Sequence, residues 1–220
     1  RASLDVGGGE PWSMADGLED LARGDVLAHL LAKDSSQPQD EPLIAANIHE
    51  QLQHMGLSTW SISVLRRLRD AVGRLAPERI LEVGASIGHR TAWLLDDFER
   101  KERTPSALTL VEQGGKFGVI LQRLLQRYEA LTWASVVVGE PEQLAAEHQA
   151  WALASATGSE LSNTPFESGY DVVVVDGPSP SRAGLVATYL PMLNNNGVLF
   201  TVEPDMPTGE VDENDADGMA

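Results

Sequence analysis

Five short aliphatic runs punctuate the chain: "RILEV" (79–83), "ALTLVE" (107–112), "WASVVV" (133–138), "YDVVVV" (170–175) and "GVLFTV" (197–202). Segments of helical periodicity separate them. Strands that are almost continuously Val, Ile and Leu are covered on both faces, the signature of a parallel sheet with crossover helices. The pattern predicts an α/β protein with a Rossmann-like, doubly wound, mainly parallel sheet, helices on both faces and additional N-terminal helices. The expected crossover helices span 89–100, 116–129, 141–154 and 182–193, with Pro141 well placed in a first turn. Upstream, a helical pattern from Glu41 to His54 is stopped by Gly56. A second helix, starting at Ser58 or Ser61, sets Ile62, Leu65, Leu68, Val72 and Leu75 on one face before Pro77. Ligands of such sheets bind beyond the carboxyl ends of the strands, where strand order reverses.

The first run leads into "RILEVGASIGHRTAWLL" (79–95). A dinucleotide fingerprint, G-x-G-x-x-G, would put glycine at 84, 86 and 89. The chain has Gly84, Ser86 and His89, so two of the three glycines are missing and NAD is disfavoured. The motif present is E-x-G-x-x-x-G, formed by Glu82, Gly84 and Gly88. Gly84 allows a ligand close to the backbone, and Gly88 lets the loop turn into the helix. Glu112 closes the second run, where an acid reaches two ribose hydroxyls as a double acceptor. Loop and acid together suit an adenosine bearing an amino-acid tail better than a pyrophosphate. A strand–helix turn likes glycine in any protein, and an acid in Glu112's place can simply cap a helix. The joint pattern of Glu82, Gly84, Gly88, Glu112 and Asp176, the last at the end of the fourth run, favours a cofactor site.

From about Ile48 to Asp205 the chain resembles the class I S-adenosylmethionine-dependent methyltransferases, specifically the group containing the catechol and caffeoyl-coenzyme A O-methyltransferases. The stretches that carry the resemblance are "LEVGASIGHRTAWL", "LTLVE", "VVVGEPEQL", "YDVVVVDGPSPS" and "LPMLNNNGVLFTVEPD". "HMGLSTWSISVLRRL" stands where that group covers substrate and cofactor. The resemblance implies S-adenosyl-L-methionine as cofactor and O-methylation of a small molecule. Glu82, Gly84, Ala85, Ser86, Gly88 and His89 would surround the methionine part, Glu112 the ribose, Gly139 and Glu140 the adenine, and Asp176 the sulfonium end. Asp176 and His89 are the expected catalytic residues. His54 is a further candidate base, while His29, His49 and His148 are expected to be solvated.

Metal-dependent members of the group use a divalent cation such as Mg, Ca or Mn to acidify the acceptor hydroxyl. Asp176, Glu203 and Asp205 are the oxygens available for it here. The group's Asp-Asn pair after strand five is replaced by Glu203 and Pro204, and its lysine three residues after the strand-four acid is Ser179. Two other readings stay in view, the second of them favoured by those departures. One is an aminopropyltransferase of the spermidine synthase kind, whose richer glycine loop and further acidic pair are absent here. The other is a methyltransferase-like protein that binds cofactor without catalysis.

Charge and composition narrow the partners. Of the net charge of −17, residues 1–42 contribute nine acids against three bases, and residues 203–220 seven acids and no base. The acidity therefore belongs mainly to the ends and says little about the core. Arg66, Arg67, Arg69 and Arg74 read as the solvated face of an amphipathic helix, and no aromatic-rich basic surface supports a nucleic-acid partner. With no cysteine, no basic-then-apolar leader and no run of roughly 20 apolar residues, the expectation is a cytoplasmic protein without a membrane partner. The N-terminal helices would support a homodimer. The expected organisation is a loosely ordered acidic arm (1–40), covering helices (41–76), the Rossmann-like domain (77–205) and an acidic tail (206–220). The start at Arg1 suggests a fragment, and the short stretch after the fifth run suggests either truncation or a five-stranded sheet.

Overall fold

The computed structural model describes residues 23–157, 164, 166 and 169–202. Along the chain run α1 (Arg23–Leu31), α2 (Leu43–His54), α3 (Ile62–Leu75), β1 (Arg79–Val83), α4 (His89–Arg100), β2 (Ala107–Glu112), α5 (Gly115–Arg127), β3 (Ala134–Val138), α6 (Pro141–Ala156), β4 (Tyr170–Val175), α7 (Ser179–Tyr189) and β5 (Leu193–Phe200). The strands form one sheet in the order β3-β2-β1-β4-β5, and every pair is parallel. The chain winds outward from β1 to β3, then returns to lay β4 on the other side of β1. The order therefore reverses between β1 and β4, and the crevice beyond their carboxyl ends is the switch point.

Period-two alternation divides the aliphatic residues between two cores. Ile80, Leu108, Leu110, Val172 and Val174 face α3, α4 and α5, where Leu65, Leu68, Trp93 and Leu121 cover them. Leu81, Val83, Val111, Val173 and Val175 face α6 and α7, meeting Leu144, Ala145, Leu185 and Tyr189. Register places Glu82 in one row with Leu110, Val136, Val174 and Phe200. A carboxylate in that row enters an apolar layer, so its partners decide what the site can do.

The N-terminal helices pack as one layer, α1 on α3 and both α2 and α3 on α4. Here the arginines of α3 differ from the expected solvated face. Arg69 is buried, pairs with Asp70 Oδ1, donates to the Pro38 carbonyl at 2.8 Å and lies over the Trp93 ring at 5.6 Å. Arg74 donates to the Leu30 carbonyl at 2.9 Å. These bonds tie residues 30–38 to α3, so part of the expected loose arm belongs to the folded body. Residues 1–22 of that arm and the acidic tail (206–220) lie outside the described residues.

The starts of two elements move furthest from their expected places. Helix α7 begins at Ser179, directly after Pro178. Strand β5 begins at Leu193, because Tyr170 pairs with Leu193 while Val172 pairs with Val198. Asn194–Gly197 bulge out between those pairs, and Asn194 Nδ2 donates to Asp171 Oδ1 at 2.6 Å. Asp171 Oδ2 accepts the backbone N–H of Glu78 and of Arg79, each at 2.9 Å. One buried carboxylate thereby fastens the start of β1 to β4 and to the bulge.

Candidate functional site

Four acids stand at or near the carboxyl ends of the strands: Glu82 on β1, Glu112 on β2, Glu140 after β3 and Asp176 after β4. The loop from β1 to α4 runs among them. Gly84 has φ +75°, and a Cβ there would collide with the Asp176 carbonyl oxygen. Only glycine lets the two strand ends come this close. The N–H groups of Gly84 and Ala85 bond to the Val111 carbonyl at 3.0 and 3.1 Å, and the Asp176 N–H bonds to the Val83 carbonyl at 2.9 Å. Gly88, with φ +90°, is the N-cap of α4.

Glu112 is buried, and its carboxylate draws the loop to itself. Oε2 accepts the Ser86 N–H at 2.7 Å and Oε1 the Gly114 N–H at 2.9 Å. Each oxygen keeps a lone pair, so the group can still accept from a diol. Gly139 donates its N–H to the Glu112 carbonyl at 3.1 Å. Glu140 is exposed and accepts a hydrogen bond of 2.5 Å from Gln113 Nε2.

The cationic half of the site holds a group that sequence patterns did not single out. Arg90, only 4% exposed, fills the crevice between β1 and β4. Its Nη1 donates to Asp176 Oδ2 at 2.5 Å, its Nη2 to the Gly84 carbonyl, and its Nε lies 3.2 Å from Glu82 Oε1. The guanidinium also covers the Trp60 ring at 4.8 Å. Trp60 Nε1 is buried and has no acceptor among the described residues. One clue was legible: a cationic side chain in the first turn of a helix opposes the macrodipole, so it needs an acid nearby.

Glu82 was expected to touch the cofactor; the structure makes it an internal acceptor instead. It is fully buried, accepts from Thr91 Oγ1 at 2.8 Å and pairs with Arg90. Burial pushes its carboxyl up, and Arg90 and Thr91 pull against that rise. His89 is also buried rather than free as a base. Its Nδ1 meets Thr59 Oγ1 at 2.8 Å, and its Nε2 meets Glu41 Oε1 at 2.5 Å. Burial holds His89 below the usual imidazole range despite the opposing Glu41 carboxylate. Burial works to raise Glu41, but its bonds to His89 and His49 hold it below the usual carboxylate range.

Two other histidines depart from expectation. His49 bonds to Glu41 instead of standing in solvent. His148 is buried, with Nδ1 2.7 Å from Thr164 Oγ1, and burial lowers its pKa. His29 and His54 are exposed.

The residues present fit an adenosyl cofactor in its nucleoside half, where Glu112 faces the loop and Glu140 closes the next strand. In the cationic half, the same acceptors suit an ammonium or sulfonium once Arg90 yields them. They fit a divalent cation poorly. Asp176 already meets Arg90 and, at 3.7 Å, Arg182, and a metal ion there would confront two guanidinium groups. The other expected ligands, Glu203 and Asp205, lie outside the described residues.

No protein-family model matches the sequence, and no curated protein matches it. Solved structures do match its fold. The O-methyltransferase TomG from Streptomyces achromogenes, involved in tomaymycin synthesis and solved with SAM, is 17% identical with a TM-score of 0.57, over 75% of this chain and 67% of that one. A candidate caffeoyl-CoA O-methyltransferase from Staphylococcus aureus is 13% identical with a TM-score of 0.53, over 70% of this chain and 64% of that one. The SAH-bound methyltransferase PaMTH1 from Podospora anserina is 17% identical with a TM-score of 0.52, over 80% of this chain and 67% of that one. The chain thus spans about two thirds of the length of these structures, slightly less for the Staphylococcus protein. Its fold is the Rossmann-like fold of these methyltransferases.

Proposed function

We propose that the chain is an S-adenosylmethionine-dependent methyltransferase acting on the hydroxyl of a small molecule. The observation that carries the reading is the Gly84–Gly88 loop held on the Glu112 carboxylate at the switch point, in a fold shared with SAM- and SAH-bound enzymes. Glu112 would hold the ribose, Gly139 and Glu140 the adenine edge, and the Gly84 carbonyl with Asp176 the cationic methionine end. Bound there, the cofactor would supply an electrophilic methyl group. Trp60 and the α2–α3 segment would cover it and exclude water. Calorimetry with S-adenosylhomocysteine tests the reading: the full chain should bind one equivalent, and Glu112→Ala should lose at least tenfold in affinity. No binding, or binding unaffected by Glu112→Ala, refutes it.

One observation favours a second reading, a protein of this fold that has given up turnover. Arg90 already occupies the acceptors that a cationic cofactor end would use. That reading predicts tighter cofactor binding by Arg90→Ala and no methyl transfer to a panel of phenols by either protein. The small-molecule acceptor, a homodimer built on the N-terminal helices and a cytoplasmic location belong to the same proposal. Exposed Leu27 and Leu43 on α1 and α2 support the dimer. No helix among the described residues is long and apolar enough to cross a membrane.

A further inference from the structure

Outside the cofactor crevice, three side chains from separate places converge. Glu41 precedes α2, His49 sits in the middle of α2, and His89 opens α4. Glu41 Oε1 is 2.5 Å from His89 Nε2, and Glu41 Oε2 is 3.3 Å from His49 Nδ1. The three ligand atoms all lie within 4.8 Å of one another. The imidazoles stack with centroids 4.9 Å apart at 29°, both turning an edge to the carboxylate. We propose that Glu41, His49 and His89 form a binding site for a transition-metal dication, zinc foremost.

The donor set selects the metal class. Two imidazoles and one carboxylate suit zinc and its neighbours, whereas magnesium and calcium ask for oxygen alone. In a tetrahedral zinc site with bonds near 2.0–2.1 Å, ligand atoms stand about 3.3 Å apart. The 3.3 Å from His49 Nδ1 to Glu41 Oε2 already matches, and the 2.5 Å contact of His89 Nε2 with Glu41 Oε1 would open by about 0.8 Å. Three protein ligands leave a fourth position for water or a substrate atom, and partly exposed His49 gives the route in.

The surrounding groups are those a metal-binding histidine uses. Thr59 Oγ1, 2.8 Å from His89 Nδ1, can accept its N–H and so turn the Nε2 lone pair toward Glu41. In the metal-free protein a proton joins Nε2 to Glu41 across their 2.5 Å contact, and the dication would replace it. Gln53 lies 3.3 Å from His49 Nε2, and rotation of its amide offers Oε1 to a His49 Nε2–H. Such outer partners fix the tautomer and the ring angle. The ion would clasp α2 to the first turn of α4, directly after Gly88, and so stiffen the edge of the glycine loop.

The test uses the full chain, stripped with EDTA, dialysed, and titrated with zinc chloride by calorimetry. Cobalt(II) serves as a spectroscopic substitute through its visible d–d bands. One equivalent should bind, and the melting temperature should rise with zinc. His49→Ala and Glu41→Gln lie at partly exposed positions, so their folding is checked by the zinc-free melt. Each should weaken zinc at least 100-fold and abolish the cobalt bands. Thr59→Val should weaken it roughly 10- to 100-fold, and His54→Ala should leave it unchanged. Absence of saturable binding, equal binding by His49→Ala and Glu41→Gln, or dependence on His54 instead would overturn the proposal.

Discussion

Replacing Arg90 by alanine strips the switch point of its only described internal counter-ion to Glu82. The Arg90–Glu82 pair at 3.2 Å corresponds to about 5 kcal/mol of attraction at an effective dielectric near 20. Desolvation offsets part of that, and removing one partner of a buried pair typically destabilises by about 3–5 kcal/mol. In a chain of this size each kcal/mol moves the melting midpoint by roughly 2–4 °C, so Arg90→Ala should lower it by roughly 6–20 °C. The deficit should depend on pH in a defined direction. Burial already pushes Glu82 up, and without Arg90 its folded pKa rises further above the unfolded value of about 4.3. An acid raised in the folded state contributes stability that is present below the unfolded pKa and lost as pH rises through the folded one. The variant should therefore fall further behind the native chain at pH 8 than at pH 5. Thermal and urea melts at both pH values, followed by circular dichroism, measure this. The double variant Glu82→Gln/Arg90→Ala should recover part of the loss. A deficit below about 1 kcal/mol, a deficit that shrinks as pH rises, or simple additivity of the two changes would refute the reasoning.

Gly84→Ala forces a side chain into φ +75° against the Asp176 carbonyl; it should cost at least about 2 kcal/mol and, by spreading β1 from β4, abolish cofactor binding in calorimetry. Asp171→Ala removes the buried acceptor that the backbone N–H groups of Glu78 and Arg79 share, a loss of about 1–3 kcal/mol in urea melts, while Asp171→Asn should lose less. His148, whose pKa burial depresses, contributes stability that is present above the unfolded value of about 6.5 and lost as pH falls from there through the folded value. His148→Gln should accordingly flatten the drop in melting temperature between pH 7.5 and pH 5.5, and an unchanged slope would count against that assignment.

Much of the fold was legible because its determinants are local. Continuous aliphatic runs can be satisfied only between two covered faces, so β1, β2 and β4 appear at their expected residues. The glycines at 84 and 88 mark positions where the backbone itself must bend, and Glu112 marks the end of its strand. The start of β5 escaped because pairing, not propensity, sets it: "LNNNG" joins the sheet only through the bulge opposite Tyr170–Val172. Arg69 looked solvated because a helical wheel does not show that Pro38 and Trp93 will close over it.

The site divides along the same line. The amino-acid order alone determined which strand ends carry acids and where the backbone can approach a ligand, since both follow from residue type at a turn. The tertiary structure alone decided what those acids hold. Arg90 reaches Asp176 across 86 residues and His89 reaches Glu41 across 48, distances in sequence over which no periodicity survives. Burial then converts such meetings into chemistry: a carboxylate taken out of water must find a cation, a hydrogen bond or a proton, and which of these it finds depends on the helix packed above it.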